Sequence, residues 1–86
     1  MRTKLYVDDK VLDVDIVSIS GNTMYVALSV EGWSARDIVW LMHVAGNKMV
    51  ADIDGRPVFV DGVYSIDTIR VKIALRFMPW VSKYEV

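Results

Sequence analysis

Hydrophobic and polar positions alternate along the first third of the chain, in the pattern of half-buried β-strands. Within the run 11–20, apolar Leu12 and Val14 alternate with acidic Asp13 and Asp15, so the two kinds of side chain fall on opposite faces. The residue types between these runs are those of tight turns. The pattern predicts three strands, at 4–7, 11–20 and 23–30, separated by turns at 8–10 and 21–22.

The middle of the chain changes to the signals of a helix. Ser34 is a good N-cap, because its hydroxyl accepts a hydrogen bond from a backbone N–H that has no partner inside the helix. Asp37, three positions later, supplies the acidic side chain of a capping box. The Gly46-Asn47 pair favours a left-handed stop at the other end. We therefore predict one helix, Ala35–Ala45.

The last part of the chain returns to the alternation of strands. Asp54-Gly55 is a hairpin-type turn, Asp61-Gly62 indicates another break, and Pro79 cannot continue a strand because it has no N–H. The pattern predicts strands at 49–53, 57–60, 63–66 and 69–78. In the last of these, one face carries Ile69, Val71, Ile73, Leu75 and Phe77.

The two halves of the chain show a weak internal similarity. Each has a strand, an acidic turn, a run that contains Ser-Ile (Ser18-Ile19 and Ser65-Ile66) and a further strand. Two unrelated β-meanders can look this much alike, so chance resemblance and pseudo-twofold symmetry both remain open. When the runs 57–60 and 63–66 are counted as one interrupted strand that ends in Ser65-Ile66, the second half also has three strands. The predicted fold is α+β: a mainly antiparallel β-sheet or small, partly open barrel with one central helix, in the order βββ-α-βββ.

The composition adds an expectation about surfaces. The chain has 86 residues, of which 53% are hydrophobic, and its length predicts a single domain, 1–86. Because a small domain buries a smaller share of its surface than a large one, part of this apolar material must remain exposed. We therefore expect self-association or a protein partner, and a homo-oligomer in particular.

Several classes of site are disfavoured by the residues present. The chain has no cysteine and one histidine, His43, so it cannot build a typical zinc site. A His-based nucleophile system needs a nucleophile and an orienting acid near the histidine, whereas His43 is expected at a solvent-facing position of the helix. The acidic string that begins at Asp52 lacks the Glu an EF-hand would place at Val63. We predict no catalytic residues, no metal site and no cofactor. No run is long enough for a membrane helix, and the expected location is cytoplasmic, meaning host cytoplasm if the protein is viral.

The helix carries the candidate protein-binding surface. On a helical wheel, one wide apolar stripe comprises Ile38, Val39, Leu41, Met42 and Ala45. Trp40 and Val44 fall outside this stripe, near Arg36 and His43. A Trp with a polar rim is typical of the centre of an interface, so these four residues are predicted to bind a partner. The alternative is that another part of the same chain covers Trp40.

A second candidate surface lies on the last strand. Arg70, Lys72 and Arg76 share one face, and Trp80 follows the strand. A basic strand face with neighbouring aromatic side chains is how small β-barrels hold single-stranded nucleic acid. However, the formal net charge of the chain is −1, whereas nucleic-acid-binding domains are generally basic.

The expected function is therefore that of a small non-enzymatic binding or assembly protein that acts through a protein–protein surface. The style of the sequence is typical of small phage and other mobile-element proteins, which include structural subunits and inhibitors of host systems. The alternative function is a single-stranded nucleic-acid-binding β domain that uses the basic face of strand 69–78.

Overall fold

The computed structural model describes residues 1–67 and 69–78, which form six antiparallel strands and one α-helix. The elements are β1 (Arg2–Val7), β2 (Lys10–Ser20), β3 (Thr23–Ser29), α1 (Ala35–Gly46), β4 (Val50–Ile53), β5 (Arg56–Ile66) and β6 (Arg70–Phe77). The predicted α+β fold with an antiparallel sheet or small barrel and one helix is confirmed.

The strands close into a barrel because β1 pairs with β4 as well as with β2. The order around the barrel is β1-β2-β3-β6-β5-β4. The joint between β1 and β4 is short, since only the pairs Leu5 with Ile53 and Tyr6 with Asp52 are in register. By contrast, β3 pairs with β6 along its whole length. Closure hides most strand edges, which an open sheet would leave without partners.

The interior of the barrel is filled by the inward-facing side chains of all six strands. Val26, Val58, Ile73 and Leu75 are fully buried, and no described residue is a buried polar or charged one. Burial of each such aliphatic side chain stabilises the fold by about 1.5–3 kcal/mol. The predicted core face of the last strand is confirmed at its centre, whereas Ile69, just before β6, is exposed.

One predicted break is wrong, because β5 runs through Asp61-Gly62 without a turn. The pairing with β6 instead skips one residue at Asp61 and another at Tyr64, which are the extra residues of two β-bulges. A bulge accommodates an additional residue by bending the strand locally while the flanking pairs continue. Asp and Gly suit a bulge as well as a turn, so composition at this point did not distinguish the two.

The strand order supports the pseudo-twofold interpretation of the similarity between the two halves. Exchanging β1, β2 and β3 for β4, β5 and β6 leaves the order around the barrel unchanged. The match extends to details of the backbone. Asp8 and Asp54, 46 positions apart, both adopt positive φ in the first hairpin of each half. Val17 and Tyr64, 47 positions apart, are both bulge residues. The second half has an additional bulge at Asp61, and this extra residue explains why the separation between equivalent positions grows from 46 to 47.

Candidate protein-interaction surface

The start of α1 is fixed by the predicted capping box. The Ser34 hydroxyl accepts a hydrogen bond from the Asp37 backbone N–H at 3.2 Å, and the Asp37 carboxylate accepts one from the Ser34 N–H at 3.1 Å. These bonds satisfy two donors that the helix itself cannot. The Ser34 backbone N–H and, to a smaller extent, the Ser34 hydroxyl hold the pKa of the Asp37 carboxyl below its ordinary value, because hydrogen bonds donated to the carboxylate favour its charged form. The predicted helix end is confirmed to within one residue, but the predicted left-handed stop at Gly46-Asn47 is wrong: Asn47 has a φ of −98°, and the residue with positive φ is Lys48.

The orientation of α1 differs from the predicted one. Leu41 and Ala45 face the core as expected, but the third buried residue is Val44, not Val39 or Met42. The prediction that Val44 binds a partner is therefore wrong, because its side chain is only 1% exposed. α1 has apolar residues on most of its circumference, so periodicity did not settle which side faces inward. The observed orientation turns Trp40 toward the barrel.

Trp40 is half-buried and packs against the hydrophobic core. The Lys10 ammonium lies 5.3 Å from the centre of its ring, within range of a cation–π interaction. A shallow cleft of about 270 Å³ separates the start of β2 from the start of α1. The cleft is lined by Lys10, Val11, Leu12, Trp33, Asp37 and Trp40. The chain itself thus covers part of the Trp40 side chain, as the alternative interpretation expected.

The outward face of α1 carries an exposed apolar stripe. Val39 and Met42 are 67% and 47% exposed, and they lie between the small residues Ala35 and Gly46 on the same side of the helix. Arg36 and His43 lie along one side of this stripe and are exposed too. We call Val39, Met42, Arg36 and His43 the outer face of α1. Sequence reasoning missed Val39 and Met42 because it assigned both to the core.

His43 takes part in the end of the helix. Its backbone carbonyl accepts hydrogen bonds from the backbone N–H of Asn47 at 3.0 Å and from the Asn47 side-chain amide at 2.8 Å. The His43 Nδ1 atom lies 3.1 Å from the same amide nitrogen. Asn47 therefore satisfies a carbonyl that the helix leaves without a partner. The imidazole ring remains at the surface, beside Val39 and Met42 in the helical repeat.

The basic face predicted for the last strand is present on the outside of the barrel. Arg70 and Lys72 are exposed and Arg76 is half-buried. Two of the three are paired within the chain: Arg70 lies 3.6 Å from the Asp15 carboxylate, and Arg76 lies 3.5 Å from that of Asp61. These ion pairs reduce the positive charge available to a ligand. Trp80, the fourth residue of the predicted set, lies outside the described residues.

Aromatic side chains that sequence analysis did not select lie on the same outer face. The rings of Tyr25 and Tyr64 meet edge to face, with centroids 5.0 Å apart. The Arg76 guanidinium lies 5.0 Å from the centre of the Phe59 ring. Tyr25 could have been found from the alternation in β3. Tyr64 could not, because the two bulges in β5 change which side chains point outward.

The acidic residues of the first strands are used in ion pairs across β1 and β2. Lys4 and Asp13 are 2.7 Å apart, and Arg2 and Asp15 are 3.4 Å apart. The hydrogen bond and charge of Lys4 hold the pKa of Asp13 below its ordinary value. The same hydrogen bond and the charge of Asp13 raise the pKa of Lys4. Asp52 accepts a hydrogen bond from the Gly55 backbone N–H at 3.0 Å, as expected in a hairpin turn.

The acidic side chains of the described part of the chain do not converge on a common point. Residues 1–67 and 69–78 contain no group of three or more His, Cys, Asp or Glu side chains placed to hold a metal ion. A cleft of about 380 Å³ beside the Asp15–Arg70 pair has charged residues of both signs at its surface. It is lined by Arg2, Val11, Leu12, Asp13, Asp15, Leu28, Ser29, Glu31, Trp33 and Arg70.

Comparisons with known proteins do not assign the chain to a class. No protein-family model matches it, and the searches of curated proteins and of solved structures found no match. In residues 1–67 and 69–78, no helix is long and apolar enough to cross a membrane. The surfaces of the barrel and of α1 are therefore the features from which a function can be inferred.

Proposed function

We propose that this chain is a non-enzymatic binding and assembly module, and that the outer face of α1 is its protein contact. The observation that carries the proposal is the exposure of Val39 and Met42 on a helix whose opposite side is already buried in the core. Large apolar side chains that are adjacent and exposed are typical of interaction sites, whereas single ones are common everywhere.

The chemistry around these two residues suits a protein partner. The small side chains of Ala35 and Gly46 at the ends of the stripe allow another helix to approach closely, since interaxial distance depends on the side chains at the contact. Arg36 forms no ion pair with the described residues and is free to meet a carboxylate at the rim. An apolar centre with a polar rim is the usual anatomy of an interface.

The non-enzymatic part of the proposal is supported by the engagement of the charged groups. Asp13, Asp15 and Asp61 are committed to ion pairs with lysine or arginine, and Asp52 to a turn. Catalytic carboxylates instead typically have environments that shift their pKa values toward the working pH. The pKa values of Asp13, Asp37 and Asp61 are all shifted the other way, below the ordinary value for a carboxyl group, so these side chains stay charged at neutral pH.

The first partner to test is a second copy of the chain. Light scattering over a range of micromolar concentrations should give a mass above that of the monomer, and Val39→Glu should lower it. Truncation of an interface centre typically costs about 2 kcal/mol, roughly a thirtyfold loss of affinity. Val50→Glu is the matched control, since Val50 is 56% exposed but lies on β4. A wild-type mass equal to the monomer at every concentration would overturn the self-association proposal.

A second candidate function, single-stranded nucleic-acid binding, is supported by a different observation. Tyr25 and Tyr64 lie on the same outer face as Lys72, and exposed aromatic rings beside a lysine offer both stacking and phosphate contacts. The ion pairs of Arg70 and Arg76 and the net charge of −1 place it behind protein binding. The cytoplasmic location and the phage or mobile-element origin stay predictions from the sequence.

A further inference from the structure

We propose that the free edge of β2 at Ser18–Ser20 is a self-pairing site, which joins two copies of the chain by adding antiparallel strand to strand. This edge is distinct from the outer face of α1, on which the function proposed above depends. β2 extends further than its neighbour β1. The last registered pair between them is Arg2 with Asp15, followed by a hydrogen bond from the Ile16 N–H to the Met1 carbonyl.

Beyond Ile16, β2 has a partner on one side only within the described residues. Ser18, Ile19 and Ser20 pair regularly with β3, opposite Tyr25, Met24 and Thr23 respectively. Their other edge meets no strand in the described part of the chain. Unpaired backbone N–H and C=O groups at such an edge form a template for a further strand.

The side chains at this edge do not protect it. Natural edge strands usually discourage pairing with charged residues or proline, but Ile16–Val30 contains neither. Val17 and Ile19 are 50% and 57% exposed. The one protective device present is the bulge at Val17, and it lies before the regular stretch Ser18–Ser20. The edge is therefore uncharged, and the exposed apolar side chains of Val17 and Ile19 lie along it.

The equivalent edge in the second half of the chain is less suited to this role. Ile66 corresponds to Ile19 by the internal symmetry and is also exposed, at 66%. However, α1 packs against β5, the ring of Tyr64 is engaged by Tyr25, and acidic residues bound the uncharged stretch at 61 and 67. Two Ser18–Ser20 edges of β2 bring no charged residues together.

The occupant we assign is a second copy, because the segment is complementary to itself. An antiparallel pairing centred on Ile19 places Ile19 opposite Ile19 and Ser18 opposite Ser20 of the partner. Apolar side chains then lie opposite apolar ones and hydroxyl side chains opposite hydroxyl ones, and such cross-strand pairs are stabilising. No like charges oppose each other. The contact is isologous and closes a dimer.

Single-cysteine variants test this geometry directly, since the natural chain has no cysteine. Directly opposed residues in an antiparallel pair have Cα atoms about 4.5–5.5 Å apart, within the range a disulfide spans. Ile19→Cys should therefore form a disulfide-linked dimer under mild oxidation. Ile66→Cys is the matched control for exposure and symmetry, and it should remain monomeric on a non-reducing gel.

Val39→Cys keeps this test separate from the function proposed above, because it reports on the outer face of α1. Cross-linking of Val39→Cys alone would overturn the β2 pairing and leave the α1 proposal standing. Cross-linking of Ile19→Cys alone would support the β2 pairing and contradict self-association through α1. Equal cross-linking of Ile19→Cys and Ile66→Cys would also overturn the pairing, since it indicates collision or a β5 contact. Circular dichroism checks that each variant is folded.

Amide hydrogen exchange of the unmodified chain gives a second measurement that needs no substitution. Protection of amides in Ser18–Ser20 should increase with protein concentration, in parallel with the mass from light scattering. Protection that is strong but independent of concentration would mean that a segment of the same chain occupies the edge, and would overturn the proposal. So would fast exchange at every concentration.

Discussion

The Lys48 ammonium lies 3.1 Å from a carboxylate oxygen of Asp61, and it also donates a hydrogen bond to the Asp61 backbone carbonyl at 3.2 Å. The turn that follows α1 is thereby tied to the bulge in β5. Arg76 approaches the same carboxylate from β6, at 3.5 Å. Asp61, the additional bulge residue of the second half, thus connects the turn after α1 to two strands of the barrel, β5 and β6.

We expect Asp61→Asn to destabilise the fold modestly, because it removes a charge that two cations share. A partly exposed ion pair contributes about 0.2–1 kcal/mol, so the total should be near 1 kcal/mol. Urea unfolding at neutral pH measures this difference. Asp54→Asn, in an exposed turn without an ion pair among the described residues, is the control and should leave the midpoint unchanged.

The effect of Asp61→Asn should depend on pH in a defined direction. The hydrogen bond and charge of Lys48, helped by Arg76, hold the pKa of the Asp61 carboxyl below its ordinary value of 3.8. A depressed pKa contributes stability that is present above the unfolded value and lost as pH falls through the folded one. The gap between wild type and Asp61→Asn should therefore be constant above about pH 5 and shrink below 3.8. A gap that grows on acidification would contradict this account.

Ser34→Ala should lower the free energy of unfolding by about 1 kcal/mol, because the Asp37 N–H loses its hydrogen-bond acceptor. The measurement is the midpoint of urea unfolding. Ser65→Ala provides a control, since Ser65 is a half-buried serine on β5 whose side chain forms no hydrogen bond with the described residues. An unchanged midpoint in Ser34→Ala would mean that the capping box does not stabilise α1.

Trp40 and Val39 should behave in opposite ways when truncated. Trp40 packs on the core and under Lys10, so Trp40→Ala should destabilise the fold by about 2 kcal/mol, below the 3–5 kcal/mol typical of a fully buried Trp. Val39→Ala, on the exposed side of the same helix, should change stability by less than about 0.5 kcal/mol. Thermal unfolding of the two variants compares them. Equal losses would show that the orientation of α1 is different from the one described.

Most of the fold could be predicted from the sequence because its signals are local. The hairpin at Asp54-Gly55, the cap at Ser34 and the alternation around Ile73 each depend on a few neighbouring residues. These signals agree with one another, which is what a sequence that specifies one fold requires. Closure of the barrel was beyond such reasoning, because it depends on two residue pairs between β1 and β4, far apart in the chain.

The candidate site could be predicted only in part, because it depends on the rotation of α1 about its axis. Arg36 and His43 were placed correctly at the surface, since both are polar. The choice between Val44 and Val39 for the core was not available from periodicity, because both sides of the helix are apolar. It depends on how α1 sits against β5, a tertiary contact. The bulges at Val17 and Tyr64 were hidden for a similar reason, since they appear only in the strand pairing.

Nucleic-acid binding can be tested on the face that joins Lys72 to the aromatic pair. The ion pairs of Arg70 and Arg76 leave Lys72 as the basic residue of β6 with no ion-pair partner in the described structure. One free lysine neutralises about one phosphate, so the affinity for a single strand should be weak and only slightly dependent on salt. We therefore expect no change in the fluorescence anisotropy of a labelled single-stranded oligonucleotide at low salt and micromolar protein. Binding that weakens in Lys72→Glu and in Tyr64→Ala, but persists in Lys10→Glu, would favour this function over the one we propose. Lys10 is the matched control because it lies beside Trp40, away from β6.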